Sequence, residues 1–167
     1  LRELNAVCAS LQTTCSGGTY PGIEEYVYRD TIVLPDTCDD WIFSNAVCCR
    51  NNAINTISPT NVDIYVETTL DNLNTPCNNS PVFTNTPVPF MCLNAPFCFN
   101  NGAVDPDGDS LVYTLITPTI GPLPGDTVNY LAGYSPANPV TSSPPLTFDL
   151  LTGDICITPT AVGEVSV

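Results

Sequence analysis

Proline and glycine recur so often along this chain that they interrupt most stretches in which a long helix could form. The sequence holds 17 Pro and 10 Gly in 167 residues, and one or the other interrupts most ten-residue windows. Apart from residues 4–11, no stretch free of proline and glycine places apolar residues at i, i+3, i+4 and i+7, the spacing that one face of a helix requires. Because proline removes a backbone donor and clashes with the preceding turn, the chain must fold with little helix.

Segments rich in β-branched and aromatic residues follow one another between these turn residues, at a spacing of about ten positions. That spacing is typical of antiparallel sandwiches, and an apolar fraction of 43% is enough to form a core. The sequence therefore predicts an all-β protein. The predicted strands are 26–34, 40–48, 62–70, 82–85, 96–100, 110–116, 146–149, 154–158 and one that begins at residue 164.

Two groups of strands are separated by residues 71–81, DNLNTPCNNSP, which carry no apolar alternation. We place a domain boundary there. Residues 1–75 are predicted to form one β-sandwich that lacks its first strands, and residues 76–167 a second whose last strand is incomplete. Within the second, the Pro- and Gly-rich stretch 117–145 predicts an irregular surface loop. The expected architecture is two tandem immunoglobulin-like antiparallel β-sandwiches, stapled by disulfides.

The charge of the chain excludes several functions. Three Arg, no Lys and no His stand against 17 acidic residues, which gives a net charge of −14. Such a chain has no basic surface for nucleic acid or anionic lipid. It also lacks the usual general base, imidazole metal ligand and Schiff-base amine. No apolar run approaches the roughly 20 residues of a membrane span. As one of only three cations in an acidic chain, Arg50 is expected to pair with a nearby carboxylate.

A hydrolase that uses two carboxylates is the remaining enzymatic hypothesis, because acidic neighbours such as Glu24 and Glu25, or Asp39 and Asp40, are present. Adjacent residues of a strand point to opposite faces, however, whereas this chemistry needs two carboxyl groups that converge across a cleft. We therefore expect that the protein is not an enzyme.

Nine cysteines in so short a chain indicate export to an oxidising compartment, in which they would pair. Cys98 and Cys156 could join the two sheets of the second domain, as in immunoglobulin domains. Cys48 and Cys49 occupy successive positions of a predicted strand, so they should point to opposite faces and take different partners. The other candidates are Cys38 across a hairpin, Cys77 or Cys92 near the linker, and Cys8 or Cys15, one of which would pair before Leu1 or stay a free thiol.

The sharpest local motif is DPDGD at residues 105–109. Carboxylates at alternate positions around a glycine turn can direct several hard oxygens to one centre, and Ca²⁺ takes about six to eight such ligands. The bidentate Glu of an EF-hand is missing. The alternative is a solvated turn that only ends a strand. Three like charges in one turn repel one another unless a cation compensates them, which favours Ca²⁺.

Residues 78–167 resemble a cadherin-like domain of bacterial surface proteins. Three segments carry the resemblance: NSPVF at 79–83, DPD at 105–107 with LVYTL at 111–115, and the late pair from 148 to 163. In that family the DxD carboxylates, an Asn-rich linker and an acidic residue of the preceding domain hold Ca²⁺ and stiffen the interdomain joint. The ligands that the resemblance implies here are Asp105 and Asp107, then Asn78, Asn79 and Asp109, with Glu67 and Asp71 as candidates from the first domain.

A larger pattern, with CCRNNAI at 48–54, CNNSPVF at 77–83 and then the DPDGDSL loop, resembles very large gliding-motility-associated adhesins of Bacteroidota. These proteins are exported by the type IX route. The resemblance implies a structural or adhesive module at the extracellular bacterial cell surface. Its partners would be neighbouring domains of the same chain, a homopolymeric filament or a surface polysaccharide. The alternative is a carbohydrate-binding module, which exposed coplanar rings around Tyr130 and Tyr134 would favour.

Three triplets fit the short Asp-Ser/Thr-apolar acceptor pattern of O-glycosylation in exported proteins of this bacterial group. The acceptor residues are Thr31, Ser110 and Thr127. Because a glycan needs an exposed site, we expect modification at the loop residue Thr127 before the strand residue Thr31.

Overall fold

The computed structural model describes residues 2–4, 11–20, 22–86, 90–122 and 124–162. In these residues short antiparallel strands alternate with irregular chain, and the helical segments are single 3₁₀ turns at Thr14–Ser16 and Pro59–Asn61. The all-β prediction is confirmed. None of the described helical segments has the length and apolar character to cross a membrane. The strands are β1 Arg2–Leu4, β2 Ile23–Glu25, β3 Trp41–Val47, β4 Ile64–Leu70, β5 Val82–Phe83, β6 Phe97–Phe99, β7 Ala103–Val104, β8 Thr147–Phe148 and β9 Ile155–Ile157.

The longest paired region is the ribbon of β3 and β4. Its register runs without a break from Trp41 opposite Leu70 to Val47 opposite Ile64. The partial alternation of apolar and polar residues predicts a strand in each segment, because successive side chains of a strand point to opposite faces. The structure shows that the two strands pair with each other. The other sheets are smaller: β1 pairs with β2, β5 pairs with β7, and the third is three-stranded with the order β6-β9-β8. All these pairings are antiparallel.

Two segments that the sequence predicts as strands form none. Residues 26–34 and 110–116 lie outside the strands of the structure. The second segment makes one backbone hydrogen bond to the turn between β8 and β9, from the N–H of Tyr113 to the carbonyl oxygen of Leu150 at 3.0 Å. Side-chain alternation describes only one half of a pair, and a strand also needs a neighbour for its N–H and C=O groups. The strand predicted from residue 164 lies outside the described residues.

The stretch 117–145, expected as a surface loop, contributes to the core, so that part of the prediction is wrong. It supplies the buried residues Val128 and Val140, and Ala53 is buried as well. Backbone hydrogen bonds join this stretch to residues 55–57, including Ile57 N–H to Asn129 O at 2.8 Å and Leu131 N–H to Asn55 O at 2.9 Å. Proline and glycine prevent a regular strand there, but backbone groups that find partners can still be buried.

A disulfide joins Cys98 of β6 to Cys156 of β9, the pairing that the sequence favours, although its expected role is wrong. The two residues face each other in register on neighbouring strands, with their Cα atoms 4.1 Å apart. The bond therefore links two strands of one sheet and does not connect two sheets. It fastens the last described strand to one that lies 58 residues earlier in the chain.

The expected partners of Cys48 and Cys49 are wrong as well. The strand β3 ends at Val47, before either residue, so the rule that strand neighbours face opposite sides does not apply to them. The structure joins the two cysteines to each other, with their Cα atoms 3.0 Å apart. The other described cysteines, Cys15, Cys38, Cys77 and Cys92, carry free thiols, and Cys8 lies outside the described residues.

Candidate functional site

The DPDGD motif forms a tight turn that its own backbone closes. One carboxylate oxygen of Asp105 accepts hydrogen bonds from the N–H of Asp107 at 2.8 Å and of Asp109 at 3.3 Å. Gly108 has a φ of +83°, in the left-handed region that a residue with a Cβ rarely adopts. The glycine therefore permits the turn, and Asp105 fixes its shape.

Asp107 connects this turn to the linker. Its carboxylate accepts a hydrogen bond from the backbone N–H of Asn79 at 2.6 Å and further ones from the Asn79 side-chain amide at 3.0 and 3.1 Å. These two residues are 28 positions apart in the chain and were predicted to share one site. The structure brings them together. The neighbouring Asn78 instead donates its backbone N–H to Thr75 O at 3.3 Å.

The two candidates from the first predicted domain have other partners. The Asp71 carboxylate accepts hydrogen bonds from the N–H and side-chain amide of Asn74, and from the N–H of Leu73, and these bonds lower the pKa of Asp71. Glu67 accepts a hydrogen bond from the Tyr65 hydroxyl at 2.9 Å. Each of these acidic residues is thus engaged by neighbours in its own stretch of chain.

The carboxylates of the DPDGD turn suit Ca²⁺ in their chemistry, because they offer hard oxygen ligands. Within the described residues, however, Asp105, Asp107 and Asp109 do not bring one oxygen each within 4.8 Å of the others. The Asn79 side chain now presents its NH₂ to Asp107. To ligate a cation it must present its carbonyl oxygen instead. The turn and the linker are therefore adjacent, but in this geometry their oxygen atoms do not converge on one point.

Among the described residues, a group that brings three metal-ligand atoms within 4.8 Å of one another is formed by Cys38, Asp39 and Asp40. The Cys38 thiol donates a hydrogen bond to an Asp40 carboxylate oxygen at 2.8 Å. This bond, together with the negative charges of both aspartates, raises the pKa of the Cys38 thiol. A thiolate beside two carboxylates differs from the all-oxygen set that Ca²⁺ prefers. The sequence analysis predicts Cys38 only as a disulfide candidate. The consecutive residues Cys38, Asp39 and Asp40 are the sequence feature that could have indicated this group of metal-ligand atoms.

The raised pKa of Cys38 predicts slow alkylation. Only the thiolate reacts, so at neutral pH iodoacetamide should modify Cys38 more slowly than the exposed Cys92. The substitution Asp40→Asn removes the charge that opposes ionisation and should speed the reaction at Cys38 while leaving Cys92 unchanged. Peptide mapping by mass spectrometry under non-reducing conditions measures both rates. Equal rates for the two cysteines in the native chain would count against this arrangement.

Arg50 is buried where its own stretch of chain meets residues 117–145, with 8% of its surface exposed. Its Nε donates a hydrogen bond to the carbonyl oxygen of Asp63 at 3.0 Å, and its Nη2 to that of Thr119 at 2.6 Å. The expected carboxylate partner is wrong, because both acceptors are backbone carbonyls. A planar guanidinium with several donors can satisfy carbonyls of irregular chain that have no strand partner. Burial lowers the pKa of Arg50, and nearby Tyr130 opposes that effect.

Polar residues continue around Arg50, and we call Arg50, Asn55, Thr56 and Thr119 the polar seam. The Thr119 hydroxyl donates to the carbonyl oxygen of Tyr65 at 2.8 Å. Asn55 is fully buried, and its side-chain amide donates to Pro139 O at 3.1 Å. Its Oδ1 and the Thr56 hydroxyl are buried without a hydrogen-bond partner among the described residues. Nothing in the sequence distinguishes Asn55 from the many asparagines in turns.

The remaining predicted site residues are the two tyrosines of the carbohydrate-binding alternative and the three glycosylation candidates. Tyr130 and Tyr134 are half-buried, whereas a sugar-stacking platform needs exposed rings. The expected order of the glycosylation sites is reversed on exposure: Thr31 is exposed and outside any strand, while Thr127 is half-buried and bridges to Thr119. Ser110 is exposed.

Comparisons with family models, with curated proteins and with solved structures find no match for this chain.

Proposed function

We propose that this chain is a non-enzymatic structural or adhesive module of a large secreted bacterial surface protein. It would consist of two tandem immunoglobulin-like or cadherin-like sandwiches, with Ca²⁺ stiffening the joint between them. The observation that carries the proposal is the contact between Asp107 and Asn79. It places the DPDGD turn directly against the linker, the two elements that hold Ca²⁺ in the cadherin-like domains that residues 78–167 resemble.

Calcium would have a clear electrostatic task at this position. Asp105, Asp107 and Asp109 lie in one exposed turn of a chain whose net charge is −14. The backbone N–H groups and the Asn79 amide neutralise these carboxylates only in part, because neutral donors carry no full charge. A divalent cation compensates the repulsion and ties the turn to the linker with stronger bonds. The linker would then resist bending and proteolysis outside the cell.

Calcium is expected to raise the melting temperature of the native chain and EDTA to lower it. An ion that binds only the folded state stabilises it by about 2.7 kcal/mol when present at 100 times its Kd. The substitution Asp107→Asn keeps the size of the side chain, removes one charge and should abolish most of that response. Differential scanning calorimetry with and without Ca²⁺ measures the shift.

Asp36→Asn is the matched control, because Asp36 is an equally exposed aspartate whose carboxylate accepts a hydrogen bond from the N–H of Thr37. This variant should respond to Ca²⁺ as the native chain does. If Ca²⁺ and EDTA left the melting temperature of the native chain unchanged, the calcium part of the proposal would fail. A melting temperature that soluble polysaccharide raised, and Ca²⁺ did not, would favour the carbohydrate-binding alternative.

A further inference from the structure

An open cavity of about 360 Å³ is lined by residues of β4 and of the stretch 116–119. Its wall includes two residues of opposite charge, Arg50 and Glu67. Small-molecule sites have volumes of about 300–1,000 Å³ and combine apolar walls with a few polar groups that orient the ligand. This cavity has a volume in that range and both kinds of group, and we call it the charged cavity.

Arg50 contributes a buried cation that lacks a carboxylate. Only 8% of its surface is exposed, and no acidic residue of the described chain forms a salt bridge with it. Its Nε and Nη2 donate to backbone carbonyl oxygens, while its Nη1 donates to no described residue. A buried charge is costly unless an opposite charge compensates it. Arg50 is therefore suited to bind a carboxylate that enters the cavity, since its guanidinium keeps N–H donors for one.

Glu67 contributes the opposite charge. It is half-buried, and its carboxylate accepts a hydrogen bond from the Tyr65 hydroxyl at 2.9 Å, which holds the carboxylate in place without neutralising it. Arg50 and Glu67 form no salt bridge with each other, so each charge is free to take a partner.

The path of β4 sets the spacing of the two charges. The carbonyl oxygen of Thr119 accepts hydrogen bonds from Arg50 Nη2 at 2.6 Å and from the N–H of Tyr65 at 3.3 Å. Glu67 lies two residues beyond Tyr65 in the same strand, and two residues of a strand span roughly 7 Å. One small molecule with a charged group at each of two neighbouring positions can bridge such a separation.

Aliphatic residues complete the wall of the cavity: Ile64, Val66, Ile116 and Pro118. The side chains of Ile64, Val66 and Ile116 remain 43%, 58% and 57% exposed. Covering exposed apolar surface is favourable, because it removes that surface from water. A short, branched aliphatic group on the ligand matches these neighbours in both size and polarity.

We propose that the charged cavity binds a free aliphatic α-amino acid, such as leucine. The carboxylate of the ligand accepts hydrogen bonds from Arg50, and its ammonium group donates to Glu67. Its side chain lies against Ile64, Val66 and Ile116. Each N⁺–H···O⁻ contact is a charge-assisted hydrogen bond of about 2.7–2.9 Å.

The two charges of the cavity select a zwitterion. A simple carboxylate would leave Glu67 without a cation and would be repelled by it, and a simple amine would be repelled by Arg50. An α-amino acid satisfies both groups at once. This binding site goes beyond the proposed function and does not require it, because the calcium proposal depends on the contact between Asp107 and Asn79.

An NMR titration of the isotope-labelled full chain, in EDTA so that calcium takes no part, tests the proposal with three ligands. They are L-leucine, isocaproate, which lacks only the ammonium group, and isoamylamine, which lacks only the carboxylate. Leucine should shift the Arg50 Nε–H and the backbone amides of Glu67 and Ile116 saturably. Each analogue should bind about tenfold more weakly or worse, because each loses one charge-assisted contact.

Glu67→Gln tests the ammonium contact without touching Arg50, which the fold itself needs. The variant keeps the size of the side chain and an oxygen acceptor for the Tyr65 hydroxyl, so it should fold as the native chain does. It should weaken leucine binding about tenfold or more and leave isocaproate binding no weaker. Glu24→Gln is the matched control, because Glu24 is an exposed glutamate that likewise accepts a tyrosine hydroxyl, that of Tyr26 at 2.7 Å. This control should bind leucine like the native chain.

Three results would overturn the amino-acid site. The first is a native chain whose Arg50, Glu67 and Ile116 signals leucine leaves unshifted up to its solubility limit. The second is isocaproate or isoamylamine that binds as tightly as leucine, which would show that the cavity does not select a zwitterion. The third is a folded Glu67→Gln chain that binds leucine as tightly as Glu24→Gln does.

Discussion

Replacing Cys98 and Cys156 together with alanine is expected to lower the free energy of unfolding by about 4 kcal/mol. The bond closes a loop over a sequence separation of 58 residues. In the chain-entropy description, a loop of that length restricts the unfolded chain by about 4 kcal/mol, within the range of roughly 2–5 kcal/mol for the loss of a native disulfide in a small secreted domain. The strand β9 is then held to β6 only by three opposed residue pairs.

Urea denaturation followed by circular dichroism measures this loss. Cys92→Ala is the matched control, since it removes an exposed free thiol and should change stability by less than about 0.5 kcal/mol. The size of the stability loss distinguishes a disulfide that joins regions far apart in the chain from one that closes only a local turn. A double variant as stable as the native chain would contradict the placement of this disulfide.

The substitution Arg50→Leu is expected to lower the free energy of unfolding by about 3 kcal/mol. It leaves the carbonyl groups of Asp63 and Thr119 without the guanidinium donors that they bind at 3.0 and 2.6 Å. Hydrogen bonds to charged groups contribute roughly 1.5–3 kcal/mol each, and a buried acceptor that loses its donor carries a desolvation penalty. The Thr119 carbonyl keeps one donor, the N–H of Tyr65 at 3.3 Å, so the two contributions should not add in full.

Two other arginine variants make this test specific. Arg50→Lys keeps the charge but cannot reach both carbonyls with a planar fork, so its stability should lie between those of the native chain and Arg50→Leu. Arg29→Leu is the matched control at an exposed position and should change the free energy of unfolding by less than about 0.5 kcal/mol. Equal stability of Arg50→Leu and Arg29→Leu would contradict the buried position of Arg50.

The β3–β4 ribbon and residues 26–34 show what alternation can and cannot predict. Both have apolar and aromatic residues in the pattern of a strand, and the sequence predicts a strand in each case. In the ribbon, β3 finds β4 over its whole length. Residues 26–34 find no strand partner among the described residues. Pairing is a property of two segments in space, so one segment's pattern cannot establish it.

The DPDGD turn and the polar seam also differ in how far the sequence predicts their contacts. The contact between Asp107 and Asn79 could be anticipated, because a recognisable motif marks both residues. Arg50 binds backbone carbonyls of Asp63 and Thr119, and such acceptors exist at every position of any sequence. The sequence shows a cation that needs partners but not which carbonyls will face it. The seam therefore follows from the path of the irregular stretch 117–145, which sequence patterns do not determine.

The exchange rate of the Asn79 amide hydrogen, measured by NMR with and without Ca²⁺, tests the calcium-stiffened joint most directly. This N–H donates to Asp107 at 2.6 Å and therefore reports on the contact between linker and turn. With Ca²⁺ at about ten times its Kd, exchange should slow roughly tenfold in the native chain, because opening the contact must then release the ion. In Asp107→Asn the ion should have little effect. An exchange rate in the native chain that Ca²⁺ leaves unchanged would contradict a joint held by calcium.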